Sequence, residues 1–182
     1  LIVAASDVYK RQVIYSAVGA DEETIPTDNT QYNIAETSII KIPNQEPKKL
    51  GYTFEGWKTG TDDTVYKYGT QNDTYTVPND INGAITFIAQ WSINEYEITY
   101  ELNGGINAEN APVSYTIETD TITLPVPTKD GYNFEGWYTD AAFENAVAAI
   151  AKGSVGDMVL YAKWSEKDMA CLLYTSDAAD DK

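Results

Sequence analysis

Gly51-Tyr52-Thr53-Phe54-Glu55-Gly56-Trp57-Lys58-Thr59 recurs, altered only at its third and eighth residues, as Gly131-Tyr132-Asn133-Phe134-Glu135-Gly136-Trp137-Tyr138-Thr139. A second tryptophan, Trp91 or Trp164, ends a strand-like run after each copy. Tyr52 and Phe54, like Tyr132 and Phe134, stand two apart and share one face of a strand. Trp57 and Trp137 follow their phenylalanines by three residues, which is the wrong parity for that face. Two arrangements are open. Gly56 and Gly136 form a β-bulge that returns each indole to the core, or each indole stays outside, free to stack on a sugar ring or a partner's side chain. The size of the module favours the core, since a small domain needs aromatics that each bury about 150–250 Å². Gly51 and Gly131, just ahead of the motif, supply a tight turn.

Outward from the motif, the chain reads as two strand-rich repeats. In the first, residues 13–18 and 84–91 are strand candidates, 32–42 have strand composition, and 19–30 and 61–74 are polar and turn-rich. In the second, residues 97–102 alternate with period two, so Ile98, Tyr100 and Leu102 share a face. Asn103-Gly104-Gly105 then marks a turn, because Asn and Gly tolerate positive φ. Residues 114–124 form a strand region broken at 118–120, Pro125 and Pro127 keep the chain extended into the motif, and 158–164 closes the repeat. The Ala-rich stretch 141–152 is the one place where a short helix is expected.

The copies align in order. Tyr32-Asn33-Ile34 falls on Tyr115-Thr116-Ile117, and Phe87, Ala89 and Trp91 fall on Leu160, Ala162 and Trp164. Ile88 and Gln90, on the other strand face, match Tyr161 and Lys163. The expectation is a mainly β fold built twice, with residues 13–92 as the first module, 93–166 as the second, and Ser92–Glu95 as a short linker.

The 182 residues carry a formal charge of −16 and a pI near 4.1. That argues against a nucleic-acid partner, because nothing neutralises phosphates, and against adhesion to an anionic membrane by charge. No apolar run reaches the roughly 18 residues of a membrane span. Histidine is absent, which removes the commonest general base and metal ligand. No calcium loop, zinc spacing, phosphate loop or Gly-x-Ser-x-Gly motif occurs, so no metal, cofactor or catalytic residue is expected. Glu55 and Glu135 each sit alone in a repeat, without the second carboxylate that glycoside hydrolysis uses. They read as solvent-facing strand residues.

The two ends read differently. If Ala4–Gln12 is encoded GCA GCG TCA GAT GTG TAT AAG AGA CAG, its reverse complement, read one base over, spells Cys171 through Ala179 residue for residue. Residues 1–12 and 167–182 are therefore expected to be translated sequencing-adapter DNA and are set aside from fold reasoning. Cys171, the one cysteine, goes with them, leaving neither disulfide nor thiol site.

From Tyr96 to Trp164 the order Tyr-x-Ile-Thr-Tyr-x-x-Asn-Gly-Gly, Pro-x-Pro-Thr-Lys-x-Gly-Tyr-x-Phe-x-Gly-Trp-Tyr-Thr-Asp and Leu-Tyr-Ala-Lys-Trp closely resembles the Listeria–Bacteroides repeat, also called the internalin B-repeat. Residues 13–91 resemble a longer variant. The resemblance implies a compact β-grasp-like module, a small α+β type that is mostly strand. It implies tandem arrays in secreted or cell-wall-attached bacterial proteins, serving as stalks and sometimes touching host or envelope components. No catalytic residue belongs to the family. Gly51, Tyr52, Phe54, Gly56 and Trp91, with Gly131, Tyr132, Phe134, Gly136 and Trp164, are then the structural motif. The leading expectation is a non-enzymatic extracellular stalk segment whose partners are neighbouring repeats of its parent chain. The alternatives are a carbohydrate- or protein-binding module using exposed Trp57, Trp137 and Tyr138 on a host or envelope partner, and an accessory fragment of a secreted polysaccharide-degrading enzyme.

Overall fold

A computed structural model describes residues 10–33, 37–78 and 83–168. Most of both set-aside ends, and Ile34 of the aligned triplet, lie outside the described residues. The chain divides into two compact units at Asn94/Glu95.

The first unit holds strands β1 (Lys10–Ser16), β2 (Asp28–Asn33), β3 (Ile39–Lys41), β4 (Tyr52–Lys58), β5 (Thr74–Thr76) and β6 (Ile85–Ile93), with a single 3-10 turn at Glu22–Thr24. Its main sheet has the order β2-β1-β6-β4. The first and last strands, β1 and β6, are neighbours and parallel, with Val13 opposite Ile85 and Tyr15 opposite Phe87. A ribbon of β3 and β5 closes the core, burying Ile40, Ile42, Tyr75 and Val77. Tyr75 and Tyr66 both present edges to Phe87, at centroid distances of 5.5 and 6.3 Å. Strand β1 begins at Lys10, inside the stretch 1–12 set aside above: Lys10 and Arg11 stand opposite Asn33 and Tyr32. A β-ladder is bonded through the backbone, so any residue in register can extend it.

The second unit repeats the plan with β7 (Glu95–Glu101), β8 (Ser114–Thr116), β9 (Ile122–Thr123), β10 (Tyr132–Tyr138), β11 (Ala146–Val147), β12 (Ala149–Ile150) and β13 (Met158–Glu166). The order β11-β10-β13-β7-β8 again sets the first and last long strands, β7 and β13, side by side and parallel. The β9–β12 ribbon takes the place of β3–β5. Ile98, Tyr115, Leu124, Trp137, Ile150, Leu160 and Ala162 form the buried core, with Tyr100 and Leu102 packed against it. At Asn103-Gly104 both φ angles are positive, +49° and +84°, and the Gly105 N–H donates to Leu102 O at 2.9 Å. This is the turn expected there.

Two expectations need correction. Residues 141–152 form no helix; they make β11 and β12. Ile150 is buried opposite Ile122, and Leu124 N–H donates to Ala148 O at 3.1 Å. Core burial overrides the helical preference of six alanines, in a segment too short to be helical alone. The connection is also shorter than Ser92–Glu95. β6 runs to Ile93 and β7 starts at Glu95, leaving Asn94, whose N–H donates to Gly51 O at 2.9 Å.

Candidate functional site

Each motif strand slips register against its partner at the glycine. Phe54 faces Trp91 and Gly56 faces Gln90, with Glu55 as the extra residue; Phe134 faces Trp164 and Gly136 faces Lys163, with Glu135 extra. The glycines sit at φ +141° and +138°, where a side chain is strained. The bulge repairs the parity of the indoles. Trp57 is 0% exposed and Trp137 3% exposed, lying opposite the small residues Ala89 and Ala162. Trp137 Nε1–H donates to Pro125 O at 2.7 Å. Phe54 and Phe134 meet the indoles edge-on at 5.1 and 5.4 Å. The arrangement with exposed Trp57 and Trp137 is therefore corrected: neither indole offers a face to a ligand.

The rest of the motif supports this burial. Gly51 (φ +77°) and Gly131 (φ +76°) occupy turns closed by Tyr52 N–H to Lys49 O at 3.1 Å and Tyr132 N–H to Lys129 O at 3.2 Å. Lys49 places its ammonium 3.9 Å from the Tyr52 ring centroid and 5.8 Å from that of Trp91. Lys129 does the same between Tyr132 and Trp164, at 4.2 and 5.8 Å. Glu55 and Glu135 are exposed and accept hydrogen bonds from Ser92 Oγ and Ser165 Oγ across the sheet. These bonds tie each bulge residue to the neighbouring strand. Among the described residues no group of three acidic, Cys or His side chains is placed to hold a metal.

In the second unit the end of the sheet is open to solvent. β13 outruns β7: pairing stops at Tyr161 opposite Glu101, and beyond it the Asn103 side-chain amide donates to Ala162 O at 2.9 Å. Beside this end is a groove of about 520 Å³ lined by Tyr132, Phe143, Tyr161, Trp164, Lys129 and Lys163, among others. Tyr138, half-buried, adjoins it through Phe143, whose ring meets it edge-on at 5.5 Å. The Lys163 ammonium lies 5.1 Å from the Tyr138 centroid and 5.8 Å from that of Phe143. Phe143 holds a positive φ of +58°, rare for a bulky residue. The Asp140 carboxylate fixes that turn by accepting from Glu144 N, Asn145 N and Asn145 Nδ2 at 3.1, 2.8 and 3.1 Å. The Glu144 and Asn145 amides are the leading cause that lowers the Asp140 pKa below the ordinary carboxylate value.

A family model described as the Listeria-Bacteroides repeat domain matches residues 12–90 and 96–163. The chain belongs to the Listeria–Bacteroides repeat family. It is 34% identical over 145 residues to a protein of Evansella cellulosilytica named as a Gly-rich membrane protein. It is 33% identical over 144 residues to Internalin H of Listeria monocytogenes. These matches cover 75% and 76% of this chain but only 16% and 24% of the two relatives. Among solved structures, streptococcal SHIRT domains 3-4 from a cell surface protein align over 87% of this chain and 99% of theirs, at 13% identity and a TM-score of 0.28.

Within this Listeria–Bacteroides repeat pair the first unit repeats only part of the groove's chemistry: Lys49, Tyr52 and Trp91 match Lys129, Tyr132 and Trp164. Lys58, Ile88 and Gln90 stand where Tyr138, Tyr161 and Lys163 stand in the second. Of the groove residues, sequence reasoning singled out Tyr132 and Trp164 as structural, and Tyr138 beside it as a binding residue. It missed Phe143, Tyr161, Lys129 and Lys163. For Tyr161 and Lys163 the signal lay in aligned positions where the copies differ, Ile88 and Gln90, while the motif beside them does not.

Proposed function

We propose that residues 13–166 are a non-enzymatic, extracellular repeat segment of a bacterial cell-surface or secreted protein. Its two modules, 13–92 and 93–166, act as a stalk that carries a functional domain away from the envelope, with weak adhesion of its own. One observation carries this reading: the recurring motif spends its tryptophan on the core in both copies, so what recurs is the means of folding a small module. Membership in the repeat family, and a match to a quarter or less of two long relatives, support a segment of a larger array. Its first partners are then neighbouring repeats of the parent chain.

The test is surface display. A peptide epitope is anchored to a bacterial cell wall directly, or through this chain, and capture by antibody-coated beads is compared. A stalk raises capture without any ligand for the chain itself. Equal capture with and without the chain overturns the stalk reading.

A further inference from the structure

We propose that the groove beside β13 binds a saccharide bearing a carboxylate, such as a uronic-acid residue of a glycan. The inference adds a ligand site to the stalk and does not depend on the stalk reading. Tyr132, Phe143, Tyr161 and Trp164 line the groove with rings and Lys129 and Lys163 with basic side chains; the Lys129 ammonium donates one of its three N–H bonds to Asn103 O at 2.8 Å. The apolar face of a pyranose stacks on such rings, while its hydroxyls can bond phenolic and amide groups. Lysine pairs with a carboxylate as a point charge. These two lysines line one groove of a chain whose formal charge is −16, so a carboxylate meets local countercharge there in an otherwise acidic molecule.

Two further observations separate this site from ordinary packing. Phe143 is held in a left-handed backbone conformation by the Asp140 carboxylate. Backbone strain of this kind gathers at functional sites. The first unit also builds the same fold with Ile88 and Gln90 in place of Tyr161 and Lys163, so folding does not require those two groove residues. A peptide strand fits less well, because Ala162 O is already bonded to the Asn103 amide and the Thr128 backbone is bonded to Ile106.

The test titrates the full chain with trigalacturonic acid, neutral galactotriose and triglutamate, following backbone amide NMR shifts. The decisive variant is Tyr161→Ile with Lys163→Gln, which installs the residues of the first unit and should leave Tm unchanged. Trigalacturonic acid is expected to give saturable shifts at residues 129–132, 138–143 and 161–164 with a Kd near or below about 1 mM. Galactotriose and the double variant should each bind roughly tenfold more weakly. No saturable shift with the acidic sugar, equal binding of the neutral sugar, or an unaffected double variant would overturn the proposal. Equal binding of triglutamate would overturn the saccharide assignment. None of these outcomes bears on the bead-capture result.

Discussion

The same glycine does unequal work in the two bulges. A Cβ built on Gly56 would lie 2.5 Å from Val65 Cγ1 and 2.8 Å from Tyr66 O, whereas on Gly136 it would meet only Tyr138 Cε2, at 3.8 Å. Gly136→Ala therefore carries backbone strain alone, about 1–3 kcal/mol. Gly56→Ala adds a clash with backbone and should exceed about 3 kcal/mol, enough to unfold a module of this size. Denaturant unfolding of the two variants checks the order, and equal losses would refute it. A second matched pair is Tyr15 and Tyr100, aligned opposite Phe87 and Leu160. Tyr100 Oη–H donates to Pro112 O at 2.9 Å, while the buried Tyr15 hydroxyl has no hydrogen-bond partner among the described residues. Tyr100→Phe should cost about 1 kcal/mol and Tyr15→Phe should be neutral or stabilising.

At the level of elements, much was legible because local chemistry and long-range packing agreed. The off-parity tryptophan beside a glycine announced the bulge, and the alternation of Ile98, Tyr100 and Leu102 announced β7. The stretch 141–152 was misread because its local signals point to a helix. Asp140, which could cap a helix, instead accepts from Glu144 and Asn145 around Phe143 at positive φ. The groove was hidden for the same reason, since Phe143 reaches it only when the helix does not form. Asp140→Ala should release this turn. Hydrogen exchange at the Glu144 and Asn145 amides is expected to quicken, while the Leu124 amide, bonded to Ala148 O, stays protected. Unchanged exchange at both amides would show that the turn does not depend on the carboxylate.

For the molecule as a whole, the tyrosines that build two small cores also set its limit in alkali. Burial is the leading cause that raises the pKa values of Tyr15, Tyr32, Tyr66, Tyr100 and Tyr115. Hydrogen bonds to the Asp28 and Asp62 carboxylates add to the rise at Tyr32 and Tyr66. The folded chain thus holds these phenolic protons where the unfolded chain, with an ordinary value near 10, releases them. Their contribution to stability is complete below about pH 10 and is lost as the pH rises through the folded values. Ultraviolet titration should show these five tyrosines ionising late, together with loss of the β circular-dichroism signal. Both units contain such tyrosines, so both should fail in the same alkaline range. If all 14 tyrosines ionised near the ordinary value with the fold intact, burial of these hydroxyls would not be what holds their protons.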